Sequence, residues 1–235
     1  MNTANPPSLS LVLFAFDESE NVRPVLEELC AWLDANEPDT ELVFVDDGSR
    51  DDTLEVARRT LEGRRAKFAR HETNRGIGAA LKTGVALASA PWITFMPADG
   101  QIEPDAIGVL RRAAAAGDVD VVFSVYDHRN DGLDRKILSF GVRALITLVH
   151  GVRLSSDGPY LFRKRDFDPE ILKPDTFFLN FEFPIRMLAA KRPHRVVTVR
   201  CRPRMAGFSK STGLKRIYGV GKDLVDLRVR RFRGR

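Results

Sequence analysis

The sequence predicts a single α/β domain with a mostly parallel sheet, helices on both of its faces and a divergent C-terminal third. From Leu9 to Val125, apolar runs of strand length alternate with segments of helical periodicity, and this alternation is typical of parallel α/β sheets. A length of 235 residues fits one domain with a sizeable core. After Tyr126 the alternation gives way to a polar loop, so the remaining third is expected to depart from the simple pattern.

The strands are predicted from short apolar runs that stop at turn residues. The first run ends at Asp17-Glu18, the second at Asp46-Asp47-Gly48-Ser49, and the fourth at Ala98-Asp99-Gly100-Gln101. The predicted strands are Leu9–Phe16, Glu41–Val45, Lys67–Arg70, Trp92–Met96, Val119–Val125 and Val196–Val199.

The helices are predicted from apolar residues that recur at intervals of three and four. Val22, Leu26, Leu29 and Leu33 follow this spacing in the first helix. The turn at Asp46 also caps a helix, and Pro104 opens another, as proline often does in a first helical turn. Four of the predicted helices have both bounds: 21–35, 77–88, 137–150 and 178–190. Two more are predicted by their first residue alone, one near Asp51 and one at Pro104.

Composition excludes several classes of protein. The longest apolar stretch, Val85–Met96, is interrupted by Pro91 and falls short of the roughly 18–20 residues of a membrane span. Met1–Ser8 is polar, so we expect a flexible N-terminus and no secretory signal. Cys30 and Cys201 lie far apart, which predicts neither a disulfide framework nor a metal cluster and favours a cytoplasmic location.

Positive charge is concentrated at the C-terminal end. From Phe183 to Arg235 the chain carries 16 Lys or Arg and two acids, a net +14 in a protein of net +5. Residues 214–235 are therefore predicted to be a basic tail that follows a domain at 9–213. Two partners suit such a tail, the phosphates of a nucleic acid and an anionic membrane surface. A solvated tail without a partner is the third interpretation.

Three polar clusters directly follow predicted strands. They begin at Asp17, Asp46 and Asp99. In open parallel sheets, ligands bind outside the carboxyl ends of the strands. Carboxylates accept hydrogen bonds from ribose and sugar hydroxyls, and they bind Mg²⁺ or Mn²⁺. The clusters thus predict a site for a hydroxyl-rich ligand, a metal ion or both, although each cluster alone would also serve as a helix cap.

The motifs around these clusters resemble those of family 2 glycosyltransferases, which have the GT-A fold. Residues 16–22 (FDESENV) resemble the YNE-x-x-N opening, residues 45–53 (VDDGSRDDT) resemble VDDGSxDxT, and residues 74–80 (NRGIGAA) resemble NxGxGxA. Residues 204–210 (RMAGFSK), with the Glu182/Arg186 and Arg135/Ser139 pairs, are similar to segments of dolichyl- or polyprenyl-phosphate mannose and glucose synthases. The resemblance covers Leu9 to Lys210.

The resemblance implies a role for each matching residue. Asp99, with Gln101, would hold Mg²⁺ or Mn²⁺ across the diphosphate and so serve catalysis. Arg135 and Ser139 would bind the acceptor phosphate. A phosphate acceptor is already ionised, whereas a hydroxyl acceptor needs a base, for which Glu182 and Asp157 are the candidates. The residues expected to bind the nucleotide-sugar are Phe16, Asp17, Glu18, Asp46, Asp47, Gly76, Arg204 and Lys210.

The implied activity is an inverting transfer of a sugar from a UDP- or GDP-linked donor to a polyprenyl-phosphate-type lipid. We expect peripheral association with the inner, cytoplasmic face of the membrane, through the basic tail and the helix over 137–150. Leu138, Val142, Leu145, Ile146 and Val149 share one face of that helix, and packing on the core is the alternative for them. No nucleic acid is expected as a partner, since no recognition helix or aromatic RNA-binding pattern occurs.

Several positions depart from the family pattern. Pro97 replaces the first aspartate of the metal-binding DxD, which predicts weakened metal binding. Val125 stands where the subgroup has an acceptor-side arginine, and residues 157–163 keep their motif only in part. Two alternatives therefore stay open: a weak or inactive relative that binds nucleotide-sugar, and a non-enzymatic protein whose basic tail binds nucleic acid or membrane.

Overall fold

A computed structural model describes residues 6–127, 133–203 and 214–232, without the side chains of 133–140 and 214–220. In these residues seven strands form one sheet, in the order β3-β2-β1-β4-β6-β5-β7. The strands are β1 (Leu9–Ala15), β2 (Thr40–Asp46), β3 (Ala66–Arg70), β4 (Trp92–Pro97), β5 (Val121–Tyr126), β6 (Leu161–Arg163) and β7 (His194–Val199).

Helices follow most of the strands along the chain, as the sequence predicts. They are α1 (Ser19–Asn36), α2 (Thr53–Thr60), α3 (Ile77–Leu87), α4 (Asp105–Ala115), α5 (Leu133–His150), α6 (Leu179–Ala189) and α7 (Leu214–Phe232). The predicted single α/β domain with a mostly parallel sheet is confirmed. Across the described ranges, no helix combines the length and the apolar character that a membrane span requires.

Strand β1 lies at the centre of the parallel part of the sheet. It pairs in parallel with β2 on one side and with β4 on the other, and β2 pairs in parallel with β3. Strand β6 runs antiparallel between β4 and β5, and β7 pairs in parallel with β5. Sequence periodicity does not predict β6, because three residues are too few to show a repeat.

The alternation of side chains along the strands builds two cores, one on each face of the sheet. Leu11 of β1 belongs to the cluster that α1, α2 and α4 cover, while Val12 belongs to the cluster that α3 and α6 cover. Neighbouring strand residues point to opposite faces, so an uninterrupted apolar run is required for a strand buried on both sides. The expectation of helices on both faces is thereby confirmed.

A third apolar cluster joins α5, α6 and α7. Ile146 of α5 is fully buried in it, and Val142 and Leu145 pack against it. This corrects the expectation that this face of α5 dips into a membrane, because the face is occupied by the protein's own residues. Among the described side chains of α5, Leu148 is the large apolar residue that is exposed.

The segment expected to be a basic tail contains α7. Leu224 and Leu227 of this helix are fully buried in the third cluster. From 221 onward, two apolar positions anchor the helix among several arginines, so sequence periodicity gives a weak signal there. The basic character of the segment is retained, but much of it belongs to a packed helix.

A buried carboxylate connects the amino ends of three strands. Glu41 of β2 accepts hydrogen bonds from Ser10 Oγ of β1 at 2.6 Å and from the backbone N and Oγ of Ser89, both at 2.7 Å. Lys67 of β3 lies 2.7 Å from the same carboxylate. Burial alone would raise the pKa of Glu41, but these hydrogen bonds outweigh it and lower the pKa to about 2.

We predict that Glu41→Gln lowers the free energy of unfolding by about 1–3 kcal/mol, because it leaves buried donors without their acceptor. The folded-state pKa of Glu41 lies below its ordinary value of 4.5. Its contribution is therefore present above pH 4.5 and is lost as the pH falls toward 2. Urea unfolding of both proteins at several pH values measures this. Glu170→Gln, at an exposed glutamate, is the control; equal stability of Glu41→Gln and wild type above pH 4.5 would contradict the prediction.

Candidate active site

The three acidic turns lie side by side at the carboxyl edge of the sheet. Asp47 N donates to Ala15 O at 2.9 Å, and Ala98 N donates to Phe14 O at 3.0 Å. These bonds continue the parallel ladders beyond the ends of β2 and β4, so the turns after β1, β2 and β4 are neighbours. The strand order also changes direction between β1 and β4, which is where open α/β sheets bind their ligands.

The turn after β1 is tied to the turn after β2. Asp17 has a φ of 51°, a left-handed conformation that aspartate tolerates better than most residues. Its backbone N donates to Ser49 Oγ at 2.9 Å, and its carboxylate accepts from Arg50 N at 2.8 Å and Arg50 Nη2 at 2.7 Å. The Arg50 guanidinium also lies 5.8 Å from the ring centroid of Phe16. Phe16 and Asp17 are thus brought to the predicted site.

Glu18 connects the starts of two helices. Its backbone N donates to Thr53 Oγ1 of α2 at 2.8 Å, and its carboxylate accepts from Asn21 Nδ2 of α1 at 2.7 Å. The spacing of the E-x-x-N element explains this contact, because the Asn21 amide lies one helical turn from the Glu18 carboxylate. This contact holds the side chain at the carboxyl edge of the sheet.

Asp46 is a buried carboxylate with one well-bonded oxygen. Its Oδ1 accepts from Ser49 N at 3.1 Å. Its Oδ2 lies 3.3 Å from Arg70 Nε but has no well-directed hydrogen bond. Such a buried acceptor is costly unless it is satisfied by a charge or a ligand. Asp46 thus retains accepting capacity at the edge of the sheet.

Asp47 accepts three hydrogen bonds from its own chain. Arg75 N and Gly76 N donate to its two oxygens at 2.9 and 2.8 Å, and His71 Nδ1 lies 2.6 Å from Oδ1. Because a carboxylate only accepts, His71 Nδ1 carries a proton, and Nε2 lies 2.9 Å from Thr83 Oγ1. Asp47 therefore holds the start of α3 against the end of β2.

The glycines at the start of α3 allow a close approach of the chain. A Cβ on Gly76 would lie 2.9 Å from Asp175 O, and one on Gly78 would lie 2.5 Å from Thr176 O. Ala79 N donates to Asp175 O at 3.0 Å, and Lys82 Nζ pairs with the Asp175 carboxylate at 2.9 Å. Burial alone would raise the pKa of the Asp175 carboxyl, but Lys82 and then Arg75 hold it below its ordinary value. The expected nucleotide contact of Gly76 thus has a packing role beside it.

Asp99 lies in a turn that a distant arginine supports. Asp99 is 7% exposed, and its Oδ1 accepts from Gln101 N at 3.0 Å. Arg202 donates from its backbone N to Gln101 O at 2.9 Å and from Nε to Gly100 O at 2.6 Å, and it also pairs with Glu28 of α1. Sequence reasoning missed Arg202, because its partners are about 100 and 170 residues away.

The metal ligands that the sequence predicts at this turn are one carboxylate, from Asp99, and one amide oxygen, from Gln101. Within the described ranges, no three His, Cys, Asp or Glu side chains come together as a metal-binding cluster. Mg²⁺ in phosphate sites commonly takes only one or two carboxylates and completes its shell with phosphate oxygens and water. Asp99 and Gln101 therefore fit a divalent ion that arrives with a diphosphate.

The two candidate bases are both held by arginines. Glu182 is fully buried on α6, where it accepts from Arg186 Nε at 2.9 Å and from both Nη atoms of Arg230 at 2.8 Å. Asp157 accepts from Arg143 Nη2 at 2.7 and 2.5 Å. Two guanidinium groups thus enclose the Glu182 carboxylate, and the role of Glu182 or Asp157 as a base for an acceptor hydroxyl stays a prediction. Asp157 lies beside β5, because its backbone N donates to Ser124 O of that strand at 2.9 Å.

Four predicted site residues lie outside this description. Arg204 and Lys210 are beyond the described residues, and Arg135 and Ser139 belong to the part of α5 whose side chains are not described. Their roles therefore stay predictions.

Comparison with known proteins agrees with the motifs. A sequence model described as "Glycosyl transferase family 2" matches residues 10–182. Over 153 residues the chain is 33% identical to a dodecaprenyl-phosphate galacturonate synthase of Rhizobium johnstonii, covering 64% of this chain and 45% of that one. Over 154 residues it is 29% identical to a dolichol-phosphate mannosyltransferase of Mycosarcoma maydis, covering 61% and 52%. The chain thus spans about half the length of these two enzymes.

Two further similarities extend over almost the whole chain. An uncharacterized protein of Methanocaldococcus jannaschii is 31% identical over 231 residues, which cover 93% of this chain and 90% of that one. The crystal structure of a Mycobacterium tuberculosis glucosyl-3-phosphoglycerate synthase, in complex with Mn²⁺, UDP and glucosyl-3-phosphoglycerate, superimposes with a TM-score of 0.67. It covers 94% of this chain and 78% of that one, at 19% identity, and so shows a shared fold.

We predict that Asp47→Ala loosens the start of α3 and lowers the free energy of unfolding by about 2–4 kcal/mol, since two partly buried N–H groups and the buried His71 lose their acceptor. Hydrogen exchange followed by NMR should show faster exchange at Arg75 and Gly76. Asp52→Asn is the matched control, because the Asp52 side chain is exposed and makes no capping hydrogen bond. Unchanged protection of Arg75 and Gly76 in Asp47→Ala would exclude this role.

Proposed function

Because the chain belongs to glycosyl transferase family 2, we propose that it transfers a sugar from a nucleotide-sugar to a lipid-linked phosphate, with inversion at the anomeric carbon. The observation that carries the proposal is the row of acidic turns at the carboxyl edge of β1, β2 and β4, in the order that the family motifs require. The names of relatives, which include a dodecaprenyl-phosphate galacturonate synthase and a dolichol-phosphate mannosyltransferase, support a lipid-linked acceptor.

The donor nucleoside is proposed to bind over the turns after β1 and β2. Asp17 is held at this edge by the turn after β2, and Glu18 by bonds to α1 and α2, so both are organised before a ligand arrives. Asp46 has a buried oxygen without a directed hydrogen bond, which suits an N–H or hydroxyl donor of the nucleoside. Asp47 contributes by holding Gly76 and the start of α3 in place. Both UDP and GDP are compatible with these groups.

The diphosphate is proposed to lie over the turn after β4. Asp99 and Gln101 would hold Mg²⁺ or Mn²⁺ there, and that ion when bound neutralises charge on the departing nucleoside diphosphate. Arg204 and Lys210 would add charge-assisted contacts to the same group. Arg202 keeps the turn in place through Gly100 and Gln101, so the position of Asp99 depends on it.

A phosphate acceptor agrees with the state of the candidate bases. Glu182 is enclosed by Arg186 and Arg230, and Asp157 is paired with Arg143. A hydroxyl acceptor would need one of these carboxylates to remove a proton, whereas a phosphate oxygen is already ionised and attacks without a base. Arg135 and Ser139 are proposed to hold that phosphate, at the start of α5.

A lipid acceptor requires the site to work at a membrane surface. We propose that the protein associates peripherally with the inner, cytoplasmic face of the membrane, drawn by basic residues toward anionic lipids. The second candidate function is nucleotide-sugar binding without turnover, which Pro97 favours because it replaces a carboxylate beside the metal site. Transfer assays distinguish the two.

We predict that one UDP- or GDP-sugar, tested with Mn²⁺, stabilises the protein and is consumed. Ligand at about 100 times its dissociation constant adds roughly 2.7 kcal/mol to stability, measurable as a rise in melting temperature. The same donor, radiolabelled in its sugar, should transfer label to a short-chain polyprenyl phosphate that is extracted into organic solvent. Stabilisation without transfer would establish the binding-only alternative, and neither result with any donor would refute the proposal.

We predict that Asp99→Asn abolishes the Mn²⁺-dependent part of donor binding and slows transfer about 100-fold or more, since metal-borne charge stabilisation is worth several kcal/mol. Pro97→Asp should instead raise the affinity for Mn²⁺, because it adds a carboxylate at the end of β4. Calorimetric titration of Mn²⁺ in the presence of the nucleoside diphosphate reports both effects. Asp105→Asn, an exposed aspartate of α4, is the control. Full metal dependence in Asp99→Asn would rule out this residue as a ligand.

A further inference from the structure

The outward side of α7 carries an apolar stripe. Val225, Val229 and Phe232 are 54%, 42% and 75% exposed. Their spacing of four and three residues places them on one side of the helix, while Leu224 and Leu227 are buried on the other. Large apolar side chains grouped on one exposed helix face indicate a surface that meets another apolar phase.

Basic side chains border this stripe. The guanidinium of Arg228 lies 4.4 Å from the ring centroid of Phe232, and Lys222 is exposed one turn before Asp226. Arg230 and Arg231 point elsewhere, because Arg230 pairs with Glu182 and Arg231 Nη1 donates to His150 Nδ1 at 3.2 Å. Among the described side chains of α7, Lys222 and Arg228 therefore supply positive charge to a partner of the stripe.

The position of α7 relates this face to the candidate active site. One flank of the helix, with Asp226 and Arg230, borders a cavity of about 270 Å³ whose other wall includes Lys173 and Thr176. The segment that contains Thr176 covers Gly78 at the start of α3, at the carboxyl edge of the sheet. A surface that binds α7 from outside would thus lie beside the edge that carries the acidic turns.

We propose that the outward face of α7, formed by Lys222, Val225, Arg228, Val229 and Phe232, docks on an anionic lipid bilayer. Interfacial helices combine an apolar stripe that enters the boundary between headgroups and acyl chains with flanking Lys or Arg that meet anionic headgroups. A second copy of the chain fits the face less well, because a twofold contact would bring Arg228 and Lys222 close to the same residues of the partner.

This docking rests on the peripheral membrane association proposed above and names the surface that makes it. It does not depend on the transfer reaction, since binding to vesicles requires neither donor nor acceptor. It also differs from insertion of α5, whose apolar face is buried against α6 and α7. The bilayer contact of α7 is made by side chains that have no role in its packing on the domain.

Vesicle sedimentation of the full chain tests the proposal. Wild type should bind vesicles of phosphatidylcholine mixed with phosphatidylglycerol, release them with added salt, and bind pure phosphatidylcholine weakly. The Val225→Gln/Val229→Gln/Phe232→Gln variant should lose most of this binding. Lys222→Gln/Arg228→Gln should weaken it about 30-fold at low ionic strength. Leu148→Gln, which removes an equally exposed apolar residue from α5, should bind as wild type.

Circular dichroism and melting temperatures establish that the variants fold, which is expected because every substituted side chain lies outside the apolar cores. If the triple variant unfolds, the charge variant still decides the matter. Equal sedimentation with neutral and anionic vesicles, no sedimentation with either, or unchanged binding of the charge variant would overturn the proposal. So would a dimer of the wild type that the triple variant converts to a monomer.

Discussion

The arrangement of the carboxyl edge depends on the three hydrogen bonds accepted by Asp47. They join the end of β2 to the backbone of Arg75 and Gly76 and to the ring of His71. With both oxygens occupied, the carboxylate determines where α3 begins. The position of α3 then determines where the segment at Asp175 passes over the start of this helix, because Ala79 N donates to Asp175 O.

This series of contacts continues from the Asp175 segment to α7. The segment at Asp175 leads into α6, where buried Glu182 accepts from Arg186 and from Arg230 of α7. One buried carboxylate with two arginines is stable only while both partners stay in place, since an unpaired buried charge costs several kcal/mol. The outward face of α7 is therefore oriented by contacts that start at the acidic turns. The proposed donor site and the proposed bilayer contact are thus linked by one continuous series of contacts.

The charge distribution follows a division between paired and available groups. Arginines that reach carboxylates inside the domain, such as Arg143, Arg202 and Arg230, organise the structure. His150 is kept neutral in this region: burial first, and then the nearby Arg231, lower its pKa to about 4. Part of the positive charge of the C-terminal segment is thus paired inside the folded domain. The remaining basic groups are available to the phosphate and lipid partners proposed above.

The sequence by itself determined the α/β class, the first five strands and the acidic turns, because these depend on local periodicity and on short motifs. Leu9 to Ala15 is apolar except for Ser10, a pattern typical of a strand buried on both faces. Only the tertiary structure decided which arginines pair with Glu182 and Asp157 and how α7 packs on the domain. The sequence places Arg186 one turn from Glu182, but Arg230 is 48 residues away and arrives by packing of Leu224 and Leu227. Arg202 likewise reaches Gly100 across 102 residues, next to the bridge between Ile102 and Cys201. Pairing between distant charges depends on how helices dock, and no local pattern encodes that geometry.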